Sequence, residues 1–358
     1  MKEIKKQKIA IVTGVTGQMG SYFADKLLAD GLLVIGTARR TSAINDCNIK
    51  HIVSENFKIE PMDLSDSHSI SNIVEKYKPD YFINCAANSF VGTSWDFPEQ
   101  HLECNGLGVL RQLEAIRRFS PHTRYVNFGS SEEFGDVLYS PQDEDHPARA
   151  RSPYGASKIY ARQIVKTYRE SYGLFAIQSW SFNYESERRG YEFVTRKITQ
   201  SVARIRKELQ EDINNVTPLE LGNLNSQRDW SHALDIVDGV WLMLNNKEPK
   251  EYILASNETH SVREFVELAF KAGEMKGVWS NATENPEEEE FIMTHYADIP
   301  VDWKIVLAKI NPEFYRPCEV ELLWGNSDKA RKELGWTPKI SFQELVKRMV
   351  DSDIKKSS

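Results

Sequence analysis

Cysteine is scarce in this chain. Of its 358 residues only Cys47, Cys85, Cys104 and Cys318 are cysteines, none in a C-x-x-C pair, and no histidine cluster stands at metal-ligand spacing. A disulfide scaffold and a zinc or iron–sulfur framework are therefore not indicated, and no metal is expected. Reduced thiols in the cytoplasm are the expectation. Long apolar runs are lacking too. None approaches the ~18 residues of a membrane-crossing helix, so no membrane partner is expected. The opening, MKEIKKQKIAIVTG, enters a strand pattern without the apolar stretch of ~7–15 residues found in a secretory leader. Positive charge is not in excess: 45 Lys and Arg against 52 Asp and Glu leave a net charge of −7. A global basic surface for nucleic acid is thereby excluded. An anionic ligand must be held by a few placed Arg, Lys and backbone N–H groups.

Short apolar, β-branched runs are present, and they alternate with helical spacing. Strands are expected over Lys8–Thr13, Leu32–Thr37, Phe57–Pro61, Tyr81–Ala86, Arg124–Gly129 and Phe175–Ser181. Helices are expected over Gly20–Ala29, Ser67–Tyr77, Asn105–Phe119 and Ser152–Tyr172, the last with Pro153 just inside its start. This rhythm predicts an α/β fold, a doubly wound parallel sheet of the dinucleotide-binding (Rossmann) kind. After about Asn183 the rhythm breaks. Helices follow over Phe193–Leu209, Trp230–Leu244 and Val262–Ala272, with short strands at Pro218–Gly222 and Tyr252–Ala255. Residues 277–300, acidic around "PEEEE", read as an irregular solvated loop. The expected division is residues 1–183 plus 232–257 for the dinucleotide-binding domain. Residues 184–231 plus 258–358 would form a smaller substrate lobe.

Gly14, Gly17 and Gly20 are spaced G-x-x-G-x-x-G between the first strand and the first helix, with Gln18 and Met19 inside the turn. Glycine lets the backbone turn sharply against a pyrophosphate whose charge sits at the helix N-terminus. An NAD site usually places an acidic residue at the end of the second strand. This chain has Arg39, Arg40 and Ser42 there, which favours NADP because arginine forks match phosphate oxygens. Asp63 and Leu64 after the third strand, Ala86 and Ala87 after the fourth, and Asn105 complete the expected cofactor contacts.

Tyr154 and Lys158 form Y-x-x-x-K and share one helix face. Lysine there is expected to lower the phenol pKa, so that Tyr154 can take a proton from a sugar hydroxyl while hydride leaves to NADP. Tyr22 and Lys26 repeat the spacing on the first helix, without a serine-rich strand end before them, and read as structural. The fifth strand ends in Gly129-Ser130-Ser131-Glu132. Ser130 can bond the substrate hydroxyl beside Tyr154. Glu132 adds a carboxylate that alcohol oxidation does not need: once C4 is a ketone the C5 proton is acidic, and a carboxylate can take it and protonate the leaving C6 hydroxyl. Glu133, one residue along, is expected to point away.

Seven segments taken together, "TGVTGQMGSYFADKLL", "RRTS", "SSEEFG", "SPYGASKIYA", "FNYESERRGYEFVTRKI", "LGNLNSQRDWSHALD" and "FYRPCEVELLWGNSDKARKELGW", resemble the GDP-mannose 4,6-dehydratase family of extended short-chain dehydrogenases over nearly the whole chain. The resemblance implies that Ser130, Glu132, Tyr154 and Lys158 are catalytic. It implies a GDP-linked sugar bound by Asn183, Val194, Lys197, Asn223, Arg228, Arg316 and Glu319, with Ser89, Ser131 and Leu221 completing the substrate contacts. It further implies a homo-oligomer, dimer or tetramer, with Arg39, Arg40, Arg188 and Arg189 also at subunit contacts. Departures from the family pattern cluster near the expected sugar: Tyr184, Glu187, Tyr191 and Glu192 in the segment after Asn183, together with Asn88, Phe90 and Met19. A GDP-linked N-acetylhexose or heptose is therefore an alternative to GDP-mannose. A C4 oxidase or epimerase of a nucleotide sugar is a second alternative, and a non-catalytic NADP-binding regulator a third.

Overall fold

A computed structural model describes residues 7–42, 45–213, 215–280, 289–315 and 320–357. Seven strands build the main sheet: β1 (Ile9–Thr13), β2 (Leu33–Ala38), β3 (Phe57–Pro61), β4 (Tyr81–Asn84), β5 (Arg124–Phe128), β6 (Ala176–Ser181) and β11 (Tyr252–Leu254). Their order is β11-β6-β5-β4-β1-β2-β3, and every pairing is parallel. The order reverses beside β1, which is the switch point where such sheets open a crevice at their carboxyl ends.

Both faces are covered, as continuous apolar strands require. One face carries α1 (Gln18–Ala29) and α7 (Ala233–Asn245), packing Phe23, Leu27, Val237 and Val240 on Val12, Ile83 and Val126. The other carries α2 (Ser67–Tyr77), α4 (Gly108–Phe119) and α5 (Pro153–Tyr172), with Val74, Leu113 and Val165 against Ile11 and Phe82. Local sequence sets the ends. Asp66 caps α2 by accepting from the His68 and Ser69 N–H groups, and Ser152 caps α5 through the Gly155 N–H at 3.0 Å. Gly173, at φ +65°, closes α5.

A second core gathers α6 (Val194–Glu211), α8 (Val262–Ala272) and α10 (Phe342–Ser357) on a sheet ordered β13-β14-β16-β8. Those strands are β8 (Leu219–Leu221), β13 (Met275–Trp279), β14 (Glu290–Tyr296) and β16 (Val306–Ile310). This corrects the loop expected over 277–300: β13 and β14 pair antiparallel on either side of residues 281–288, which lie outside the described residues. Phe291 and Met293 are buried in alternation along β14, a strand pattern masked by the acidic run. Glu289 is neutralised by Arg263 at 2.6 Å, and Glu290 pairs with Lys304. Other boundaries differ too, among them the helix expected from Trp230, which starts at Ala233 after a short strand at Trp230–His232. The helix expected from Asn105 starts at Pro98, as α3 (Pro98–His101), and runs through a π-turn at Leu102–Leu107 into α4. The segment with α9 (Asp328–Leu334) returns to the main core, where Ala330 and Trp336 are buried near α7. Among the described residues no helix is long and apolar enough to cross a membrane.

Candidate active site

At the switch point Gly14 adopts φ +61° and packs so closely that a Cβ there would lie 2.9 Å from the Ala86 Cα. Thr13 ties the two strand ends together, donating to Asn84 Oδ1 at 2.7 Å and accepting from the Ala86 N–H at 2.9 Å. The α1 N-cap is Gly17, and no side chain caps the first-turn N–H groups, which leaves them for an anion. The crevice beneath has a volume of about 530 Å³, within the ordinary range of small-molecule sites. Its lining includes Gly14, Gly17, Gln18, Met19, Gly20, Arg39, Asp63, Leu64, Ala86, Ala87, Tyr154 and Lys158. A glycine cradle under a helix N-terminus, with a guanidinium near the second strand, fits a phosphorylated dinucleotide.

Three expected cofactor contacts do not line it. Arg40 and Ser42 are exposed beyond its rim. Asn105 is buried behind the wall: its side chain accepts from the Asn88 N–H at 2.8 Å and donates to the Asn88 carbonyl at 3.0 Å, shaping the wall instead of facing the ligand.

The strand β5 leads into an extended Ser130 and a 3₁₀ turn at Ser131–Glu133. The Ser130 hydroxyl accepts from the Glu132 N–H at 3.2 Å. Glu133 turns away, as expected, but into the core: it is fully buried and accepts from the Ser130 N–H at 2.9 Å and the Trp180 indole N–H at 2.7 Å. Burial pushes its carboxyl up to about 7 against those bonds. Sequence reasoning missed this anchoring role.

On α5, Tyr154 and Lys158 face the crevice together. The buried Lys158 ammonium donates to the Phe128 carbonyl at 2.8 Å and lies 5.7 Å from the Tyr154 ring centroid. Burial holds its pKa below the ordinary value, opposed by the Glu133 charge. The expected lowering of the Tyr154 pKa is not what the protein groups alone produce. Burial pushes that phenol well above its ordinary value, and the Ser130 hydroxyl pulls the other way. Tyr22 and Lys26 line neither cavity; the Tyr22 hydroxyl donates to Glu187 at 2.8 Å.

A second cavity opens beside Tyr154. Ser130, Ser131, Glu132, Asn183, Val194 and Arg228 line it, as does Ser89, and Phe90, Ser226, Phe193 and Trp230 join them. Asn183 Oδ1 and Ser226 Oγ are buried here with no hydrogen-bond partner among the described residues, a cost a ligand can relieve. Ser89, Gly129, Tyr154, Tyr184 and Arg189 border both cavities, which therefore meet at Tyr154. Three further expected substrate residues lie outside this cavity. Lys197 reaches over the Phe314 ring at 3.7 Å, Leu221 is buried in the second core, and the Asn223 side chain accepts from the Asn225 N–H at 2.9 Å. Arg316 and Glu319 lie outside the described residues.

The family model of GDP-mannose 4,6 dehydratase matches residues 11–349. The chain belongs to the GDP-mannose 4,6-dehydratase family. Within it, the chain is 41% identical to the GDP-mannose 4,6 dehydratase of Drosophila melanogaster, over 98% of this chain and 87% of the relative. It is 40% identical to that of Homo sapiens, over 98% of this chain and 92% of the relative. The fold is shared more widely: a Thermus thermophilus UDP-glucose 4-epimerase in complex with NAD superposes with a TM-score of 0.77 at 23% identity, over 96% of this chain and 98% of that one.

Proposed function

We propose that this chain is a 4,6-dehydratase of a GDP-linked hexose, GDP-mannose foremost, which keeps NADP bound and recycles one hydride in each turnover. What supports the reading is the meeting of Ser130, Glu132 and Tyr154 at the mouth between a dinucleotide crevice and a polar cavity, in a chain of this family. NADP over NAD is supported by Arg39 at the crevice, where an NAD site places a carboxylate. Bound there, the nicotinamide would supply a store for the hydride that leaves C4 and returns to C6.

The protein's own groups do the rest. Tyr154 takes the C4 hydroxyl proton as the hydride leaves, with Ser130 orienting the hydroxyl. Lys158, anchored on the Phe128 carbonyl, holds a positive charge near the phenol and favours its ionised form. The C4 ketone acidifies the C5 proton. Glu132 takes that proton and delivers one to the C6 hydroxyl, which departs as water; as C6 regains hydride, the proton Tyr154 took goes to C5, which restores both side chains. Assembly as a dimer or tetramer belongs to the same proposal and rests on the family resemblance.

The test is the product mass after incubation with NADP and a panel of GDP-sugars that includes GDP-mannose, a GDP-N-acetylhexose and a GDP-heptose. Loss of one water from a panel member is expected. Loss of two hydrogens with accumulation of NADPH would mean a C4 oxidase.

A further inference from the structure

A histidine that the mechanism leaves unused stands against the Tyr154 phenol. His101 ends α3 and lines neither cavity, and it is only 2% exposed. Its ring is set at 84° to the Tyr154 ring, with 6.0 Å between centroids, a perpendicular arrangement that aromatic pairs favour. The imidazole is also tied to the 3₁₀ turn Val91–Ser94, where its Nε2 lies 3.4 Å from the Thr93 hydroxyl. That hydroxyl donates to the Phe90 carbonyl at 3.0 Å. The turn is wrapped tightly on Phe90: a Cβ at Gly92 would lie 3.0 Å from the Phe90 Cε1.

These contacts settle the tautomer. Thr93 has one proton to give, and the Phe90 carbonyl takes it, so Nε2 is the donor toward Thr93 and Nδ1 carries the lone pair. Burial, joined by the Lys158 charge, holds the imidazole below its ordinary pKa and keeps it neutral. Nδ1 is buried with no hydrogen-bond partner among the described residues, a cost that a phenylalanine ring would avoid. What the histidine adds over phenylalanine is the bond to Thr93. Phe90 and Val91 line the sugar cavity, and Tyr154 borders both cavities. His101 therefore links the proton-accepting phenol to the wall against which a sugar would lie.

We propose that His101 is a positioning residue for hydride removal at C4: clamped by Thr93, its ring fixes the Tyr154 phenol relative to the cavity wall formed by Phe90 and Val91. The proposal rests on the reading of Tyr154 as the group that takes the C4 hydroxyl proton. It gives His101 no contact with sugar or cofactor. A phenol displaced by about 1 Å loses ~10²-fold in rate, while ligands held by other groups bind as before.

The experiment compares three variants. His101→Phe keeps a ring on the phenol but loses the Thr93 bond, Thr93→Val loses that bond from the other partner, and His101→Ala loses bond and ring together. Each is mixed in excess with NADP and a GDP-sugar of the panel, GDP-mannose first, and the single-turnover rate of cofactor reduction is read by absorbance. The expected rates are ~10-fold lower for His101→Phe and Thr93→Val, the scale of one lost hydrogen bond, and ~100-fold lower for His101→Ala. His101→Phe combined with Thr93→Val should be no slower than Thr93→Val alone, because both break the same link. The Kd values of NADP and GDP, and the sugar concentration that half-saturates the rate, should match wild type throughout. Deuterium at C4 should slow His101→Ala by a larger factor than wild type, which places the loss in the chemical step. Should His101→Ala fail to fold, the other two variants and their combination carry the comparison. Wild-type rates in His101→Phe and Thr93→Val would overturn the proposal, as would losses that appear in ligand binding and not in the hydride step. Water loss, followed separately by product mass, reports on the dehydratase reading: hydride removal that depends on His101 without water loss would sink that reading and leave the positioning role standing. Wild type that reduces no cofactor with any GDP-sugar of the panel would overturn both.

Discussion

Gly155 follows Tyr154 in the first turn of α5, and a Cβ there would lie 2.6 Å from the Glu132 carbonyl oxygen and 3.0 Å from the Ala150 Cβ. Ordinary contacts begin near 3.4 Å, so Gly155→Ala must part α5 from the Ser131–Glu133 turn by roughly 0.8 Å. Tyr154 rides on one of those elements and Ser130 and Glu132 on the other. Misplacement of catalytic groups by about 1 Å costs ~10²-fold, so kcat should fall roughly 10- to 100-fold. Stability should change little: the crowding costs about 1–3 kcal/mol, and alanine in place of a helical glycine returns about 1 kcal/mol. NADP affinity, set largely at the Gly14–Gly20 end, should hold. The assay pairs kcat with NADP titration by fluorescence and thermal melting. Wild-type kcat would refute the reasoning, as would a loss of turnover that merely tracks loss of cofactor binding.

Four further outcomes follow from the same geometry. Glu132→Gln should lower water loss by ~10²–10⁴-fold while a single turnover still forms NADPH; unchanged turnover would remove Glu132 from its role. Tyr154→Phe should lose hydride removal itself by at least that factor, and near-normal activity would sink the proton-transfer scheme. Arg39→Ala should weaken NADP about 10- to 100-fold, the scale of a lost charge-assisted bond, and leave NAD nearly unaffected; equal weakening of both would contradict the assignment. Glu187 sits in a largely buried cluster with Tyr22 and His232, whose Nε2 is 3.3 Å away. Burial pushes its carboxyl up, but the neighbouring His232 imidazole and the Tyr22 hydroxyl win and bring it from 4.5 down to about 2. A depressed carboxylate stabilises the fold above its unfolded value and loses that contribution as pH falls toward the folded one. Glu187→Ala should therefore lower stability at pH 7 by about 1–3 kcal/mol through the Tyr22 hydroxyl left unpaired. It should also flatten the acid limb between about 4.5 and 2 in pH-dependent melts; an unaltered acid limb would count against the cluster.

The parts legible in the sequence were those governed by local pattern. Apolar strand runs and helix caps set most elements to within a few residues, and the turn at Gly14–Gly20 and the face shared by Tyr154 and Lys158 follow from fixed spacing. Residues whose roles depend on tertiary contacts were not legible. Glu133 looks like a second surface acid until Trp180 and the Ser130 N–H close around it. Asn105 has the composition of a ligand contact, yet its partners are the Asn88 backbone groups. Tyr184 and Arg189 carry no motif spacing of their own; only the docking of β7 (Asn183–Glu185) against α1 brings them to the junction. In 277–300, charge composition hid the two-residue period of β14, because Arg263 and Lys304, distant in sequence, neutralise its acids.

On the proposed mechanism, one hydride leaves C4 and returns to C6 of the same sugar without escaping. GDP-mannose carrying deuterium at C4 tests it directly, with mass spectrometry and NMR of the product. The predicted product is lighter by one water and carries the label at C6. Label trapped in reduced cofactor, or a 4-keto product that still holds its C6 hydroxyl, would contradict the account.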